Sequence, residues 1–459
     1  MSSEDSKRMR AGGVKSAGGV KSARGSKSAG AGRSDPLGFL ADEIAELKRQ
    51  SLYRPMRVLS SPQAAEVVVD GKQLISLSSN NYLGLATHPR LVEAALAATR
   101  EFGVGSGAVR TIAGDMSIHE QLEIELAAFK QTEAVLTFQS GFTANTGVIP
   151  VVTGETDLIV SDALNHASII DGMRMSKAPR VVYPHKDTAA LRELLREARA
   201  RGRVGAAGAG PGAAGAATGE PYRLILVVTD GVFSMDGDIA PLPEIVVAAE
   251  EFGAAVMVDD AHASGVLGRN GRGTVDHFGL HGRVAIQVGT ISKAMGVLGG
   301  YVAGSAALRE MLTQRARPFL FSTSHPPAVA AACLEAIHVL IDEPELIDRL
   351  WAGTIYFKGE LARLGFDTGA SETPITPVMM GDSATAQRFS ARLSDEGVFA
   401  QAVVFPTVAL DKARIRTIVT AEHSMAQLDQ CLAAFAKVGR ELGLIGSRQA
   451  DRESRSGRT

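Results

Sequence analysis

Two short segments hold the side chains best suited to covalent chemistry. Asp259-Asp260-Ala261-His262 follows the apolar run 254–258, and Gly289-Thr290-Ile291-Ser292-Lys293 follows the run 284–288. Runs of this length and composition predict buried strands. In an open α/β sheet, ligands bind at the carboxyl ends of the strands. One strand end therefore offers a carboxylate and an imidazole, and the next offers hydroxyls and an amine. A lysine so placed can form a Schiff base with a carbonyl cofactor, and a carboxylate can keep a pyridinium nitrogen protonated. That pairing is what pyridoxal phosphate (PLP) chemistry asks of a protein. Taken singly, each piece has a plainer reading. A lone Lys is mostly a solvated surface residue, and an Asp-x-x-His pair is mostly a turn.

Other segments add to the pattern. The predicted strand Ala134 to Phe138 runs into Gln139-Ser140-Gly141-Phe142-Thr143-Ala144-Asn145, which opens a helix. A strand, a glycine turn and a helix start present free backbone N–H groups and the positive end of a helix dipole to a phosphate. Asp162 to Ser168, with His166, follows the predicted strand Leu158 to Ser161. Leu224 to Thr229 is followed by Asp230 to Asp238, whose three Asp fail the EF-hand spacing and read as a tight turn. The glycine-rich loop 102–107 lacks the G-x-G-x-x-G spacing of a dinucleotide site.

These residues need a scaffold of alternating strands and helices. The pattern from about 86 to 335 supplies one, a large, mostly parallel, doubly wound sheet domain, and 336–446 reads as a smaller α+β domain. Residues 37–85 form a short helix and an arm with a hairpin turn at Asp70-Gly71. Ser117 to Gln131 is an amphipathic helix, with Ser117 and Glu120 as a capping box. The basic 1–36 and 447–459 segments read as disordered tails, and the Gly/Ala-rich 201–220 as a surface insertion. The tails carry +5 and +2 of a net charge of −2, so the body stands at −9. An acidic body argues against nucleic acid as the main partner. No apolar run reaches the ~18–20 residues of a membrane helix. Cys333 and Cys431 suggest neither a disulfide framework nor a metal site, so a reducing cytoplasm is the expected setting.

From about 37 to 446 the chain resembles the α-oxoamine synthases, PLP enzymes of the aspartate-aminotransferase-like fold (fold type I). The likeness rests on Asn80-Asn81-Tyr82-Leu83-Gly84, Asp162 to Gly172, Thr229 to Gly237, Asp259 to His262, Gly289-Thr290 with Lys293, and Ala413 to Thr417. The resemblance implies that Lys293 holds the cofactor and moves protons at the substrate Cα. Asp259 pairs with the pyridine nitrogen, and His262 and Ser234 bond the ring oxygen. His166 stacks on the ring and polarises the thioester carbonyl. Gly141 and Phe142, with Thr290, bind the phosphate. Ser322 and Thr323 reach the phosphate of a neighbouring subunit, which implies a homodimer with shared sites. Arg416 grips the amino-acid carboxylate, and Asn80 helps to position substrate. Asn165 to Gly172 and Arg317 to Ser322 are most similar to the glycine C-acetyltransferase branch, implying glycine and acetyl-CoA as substrates. The 8-amino-7-oxononanoate synthase branch, with alanine and a pimeloyl thioester, is the second expectation. Other acyl-CoA variants and a CoA-independent aminotransferase or aldolase follow.

Overall fold

The computed structural model describes residues 35–203 and 219–446. The tails expected at 1–36 and 447–459, apart from residues 35 and 36, and residues 204–218 of the expected insertion lie outside the described residues. The chain divides after Tyr53 into two units. In the first, the helix Phe39–Arg49 has no buried residue, and the Lys48 ammonium sits 4.9 Å from the centre of the Tyr53 ring.

The second unit, Arg54 onward, carries three sheets. It begins with a hairpin of β1 (Glu66–Val69) and β2 (Lys72–Ser76). The turn between them places Asp70 and Gly71 at φ +48° and +81°, the left-handed conformation that Asp-Gly favours.

The large sheet contains β3 (Ala134–Phe138), β4 (Leu158–Asp162), β5 (Arg180–Tyr183), β6 (Ile225–Asp230), β7 (Ala255–Asp259), β8 (Ile286–Thr290) and β9 (Gly300–Gly304). Its order is β3-β9-β8-β7-β6-β4-β5, parallel except for β9, which runs against both neighbours. Both faces are covered, as an apolar parallel sheet requires. Val227, Val256 and Val258 pack on one face and Leu226, Val228 and Met257 on the other. The register sets Asp230 beside Asp259, and Asp259 beside Val288. Asp162, Asp230, Asp259 and Thr290 each end their strand, so the chemistry-bearing residues share one edge.

The third sheet has β10 (Ile375–Gly381), β12 (Ala402–Val403) and β13 (Ala413–Ile418), all antiparallel. The short β11 (Val398–Phe399) leaves this group and pairs in parallel with β2. The arm expected as a separate N-terminal segment is thus a sheet partner of the C-terminal chain. The expected boundary at 335/336 falls inside the continuous helix Pro327–Asp342, whose buried Ala336, Ile337 and Leu340 share a core with Leu85 and Leu91. The Ser117–Glu120 capping box does not form. Met116 gives its N–H to His119 Nδ1 at 3.1 Å, while Glu120 is drawn to Arg110 and Arg309. The helix Glu345–Leu364 has no counterpart in the sequence reading.

Candidate active site

The ends of β6 and β7 and Arg416 act electrostatically on the Lys293 side chain. Burial holds its amine at about 8, with Arg416 adding to the depression and Asp259 and Asp230 opposing it. An amine near that value is available as a nucleophile and as a base close to neutral pH. Asp259 is buried at the end of β7. Its Oδ2 accepts from Asn145 Nδ2 at 2.6 Å and its Oδ1 from the Ala261 N–H at 2.9 Å.

The helix Gly141–Val152 starts directly after β3. Its N-cap Ser140 takes the Thr143 N–H at 3.1 Å, and Ala144 gives the first intrahelical bond to the Ser140 carbonyl. The N–H groups of Gly141 and Phe142 thus precede the helical ladder and face outward as anion donors. Close backbone approach shapes this turn: a Cβ on Gly300 would lie 2.2 Å from the Ser140 carbonyl carbon. Thr290 is placed beside Gly141, but its hydroxyl proton goes to the Gly299 carbonyl at 2.7 Å, so it offers the phosphate no donor in this geometry. The exposed Ser292 Oγ lies 2.7 Å from Thr290 Oγ1 and, with the Thr290 proton given to Gly299, is the donor in that bond. The Thr323 carbonyl takes Gln139 Nε2 at 2.7 Å, so within one protomer the Ser322–Thr323 segment abuts the turn that precedes Gly141.

His262 is buried, with Nδ1 2.8 Å from the Tyr82 hydroxyl. Burial, then the positive charges of Lys293 and Arg416, hold the His262 pKa well below its usual value, so this imidazole is neutral. Tyr82, pushed up to about 12 by burial, keeps its proton. Arg416 on β13 gives Nε to the Ser234 carbonyl at 2.6 Å and Nη1 to Asn80 Oδ1 at 3.2 Å. These bonds bring Asn80, Ser234 and Arg416 together as expected. A further hydrogen bond joins the guanidinium to Tyr82.

His166 caps the helix Ala167–Met175: its Nδ1 accepts the Ser168 N–H at 3.2 Å. The residue is accessible to solvent, yet desolvation of its ring, with Lys293 adding, lowers its pKa; Asp259 opposes. The His166 N–H goes to Asp230 Oδ2 at 3.1 Å. Burial and then the neighbouring Asp259 raise the Asp230 pKa well above its ordinary value. Sequence reasoning placed Asp230 in a plain turn and gave Tyr82, Asn145 and Ser168 no role, although all four lie inside the quoted motifs. For Asn145 a signal existed: four residues after Gly141 on a helix, it shares that residue's face.

A model of the class I and II aminotransferase family matches residues 72–435. An 8-amino-7-oxononanoate synthase of Symbiobacterium thermophilum is 60% identical over 407 residues, 89% of this chain and 99% of its own. The 8-amino-7-oxononanoate synthase 1 of Bacillus subtilis is 54% identical, covering 89% and 98%. Among solved structures, a serine palmitoyltransferase from S. paucimobilis with a bound PLP–myriocin aldimine superposes with a TM-score of 0.80 at 32% identity, covering 90% of this chain and 100% of that one. The chain belongs to the α-oxoamine synthases. Its fold is the fold type I PLP transferase fold, and its cofactor is PLP.

The residues present suit that cofactor. An α-oxoamine synthase needs an amine of lowered pKa, a buried carboxylate on an adjacent strand and an anion cradle. Lys293, Asp259 and the Gly141–Phe142 turn have these properties. The relatives named above bear the name of the second expected branch, and the glycine C-acetyltransferase expectation finds no support among them. Among the described residues no helix is long and apolar enough to cross a membrane.

Proposed function

We propose that this α-oxoamine synthase makes 8-amino-7-oxononanoate, joining alanine to a pimeloyl thioester with loss of carbon dioxide and release of the thiol. The observation that carries this reading is 60% identity to a synthase of that name across 99% of its length. PLP supplies the electron sink that stabilises negative charge at the amino-acid Cα. Lys293 is the attachment point for the cofactor, and its amine takes and returns the Cα proton. Asp259 would pair with the pyridine nitrogen and keep it protonated. His262 and Ser234 would bond the ring oxygen, and the N–H groups of Gly141 and Phe142 would receive the phosphate. Arg416 would hold the alanine carboxylate, with Asn80 fixing the guanidinium. His166 would stack on the cofactor ring. In a homodimer, Ser322 and Thr323 extend to the neighbouring subunit's phosphate site.

The test is thiol release by PLP-loaded enzyme with alanine, glycine or serine against pimeloyl, acetyl and palmitoyl thioesters. Turnover confined to alanine with the pimeloyl thioester, with matching carbon dioxide, is expected. Turnover confined to glycine and acetyl-CoA would replace the proposal with the acetyltransferase reading.

A further inference from the structure

A chain of side-chain hydrogen bonds runs from the carboxylate of Asp259 to the imidazole of His166. Asn145 Nδ2 contacts Asp259 Oδ2 at 2.6 Å and Ser168 Oγ at 2.9 Å. Ser168 Oγ in turn lies 2.7 Å from His166 Nδ1. The two helices that hold these residues pack closely because Gly172 has no side chain; a Cβ there would lie 2.9 Å from the Asn145 carbonyl oxygen.

The direction of the bonds is determined. An amide oxygen cannot face a carboxylate oxygen at 2.6 Å, so the Asn145 NH₂ group points to Asp259. The same group reaches Ser168, so both amide hydrogens are donated and Asn145 Oδ1 is left buried without a partner. Ser168 Oγ therefore accepts from Asn145 and has its own proton to give. At the far end, the Ser168 backbone N–H is aimed at His166 Nδ1. A ring nitrogen that meets a backbone N–H carries no proton, so the Ser168 hydroxyl donates to it as well. With two donors on Nδ1, the ring proton resides on Nε2. The helix N-terminus beneath the ring disfavours the imidazolium. The titratable groups that act on this ring are Asp259, Lys293 and His262, with Asp230 bonded to the His166 backbone.

We propose that Asn145 and Ser168 are positioning residues that hold His166 as the neutral, Nε2-protonated tautomer. His166 is then a hydrogen-bond donor to the oxygen of the reacting acyl group, and the Cα proton is left to Lys293. The tautomer rests on the geometry alone, and the donor role rests on the acyl-transfer reading above. A neutral donor poised where charge develops lowers a barrier without itself exchanging a proton. The same relay ties the orientation of His166 to the carboxylate that faces the pyridine nitrogen.

The test uses full-length, PLP-loaded, substrate-free enzyme with isotope-labelled histidine rings. The His166 signals are identified by their loss in His166→Gln. The expected result is a bare Nδ1 and a protonated Nε2 at neutral pH, kept in Ser168→Thr. In Ser168→Ala, Nδ1 keeps the backbone N–H but loses the hydroxyl donor, and in Asn145→Ala that donor is no longer held, so in both the Nδ1 signal shifts and the His166 pKa rises while Nε2 stays protonated. Loss of one such bond lowers kcat about tenfold with little change in the amino-acid KM, and Ser168→Thr restores most of it. A wild-type His166 protonated on Nδ1 would overturn the proposal, and that reading needs no variant to fold. Ser168→Ala with the Nδ1 signal and pH profile unmoved would overturn it too. Since the ring signals are read without substrate, a wrong acyl or amino-acid assignment leaves this result standing.

Discussion

His185 is the most direct place to test the electrostatics of this fold. Its Nδ1 lies 3.0 Å from Asp162 Oδ1 and its Nε2 2.9 Å from Asp238 Oδ2. Both ring nitrogens face acceptors, so both must carry protons and the ring is an imidazolium. Burial alone would lower its pKa, but the bonds to Asp162 and Asp238 outweigh it and raise the value to about 9. Asp162 ends β4 just ahead of His166, and Asp238 closes the loop that carries Ser234, so one cation clasps two walls of the site. Because the folded pKa lies above the unfolded one, the stabilisation is complete below about 6.5 and is lost as pH rises through about 9. That span corresponds to about 3 kcal/mol, and screening at a side chain one-quarter exposed reduces it to about 1–2 kcal/mol. His185→Gln keeps polarity and removes the charge. Urea unfolding of the PLP-loaded protein at a series of pH values is the assay. The variant should be less stable by about 1–2 kcal/mol at pH 6, with the gap narrowing steadily and mostly closing by about pH 10. A gap that stays constant across this range would refute the assignment of a charged His185.

Two further outcomes test the site's construction. Arg416→Lys keeps a charge but cannot bond Ser234 and Asn80 while also holding a carboxylate, so the amino-acid KM should rise by about ten- to a hundredfold in steady-state kinetics. An unchanged KM would show that the carboxylate binds elsewhere. Gly300→Ala drives a methyl group into the Ser140 carbonyl and should weaken PLP binding at least about tenfold in an absorbance titration, with free phosphate competing less well. Wild-type affinity in this variant would mean that the Ser140–Gly141 turn is not the phosphate cradle.

Much of this site was legible because its main side chains sit where a periodic signal ends. An apolar run predicts a strand, and the residue after it inherits a position at the ligand edge, so Asp259, His166 and Lys293 could be marked. The residues that orient them were not legible. Asn145 and Ser168 lie on different helices, and nothing in either segment tells that Gly172 lets those helices meet. Asp230 looked like a turn residue because its significance lies in the register with Asp259 across a parallel pair. The bond from the Thr290 hydroxyl to the Gly299 carbonyl was likewise not legible, since it forms between the end of β8 and the residue just before β9. The acyl branch was not legible for a related reason. Chain length is selected by cavity shape, which is set by side chains from many separate segments, and short local motifs such as Asn165 to Gly172 do not encode it.

The pairing of β2 with β11 has a consequence for synthesis on the ribosome. Ile75 and Ser76 take Val398 and Phe399 as their strand partners, about 320 residues later in the chain. At about 5–20 residues per second, the hairpin waits roughly 15–60 s for that edge to be covered. During that time Leu74 and Ile75, buried in the finished protein, lie on an open strand edge, the kind of surface that pairs with other nascent chains. The β1–β2 hairpin is made well before the strand that completes it, so conditions that slow translation should expose it longest.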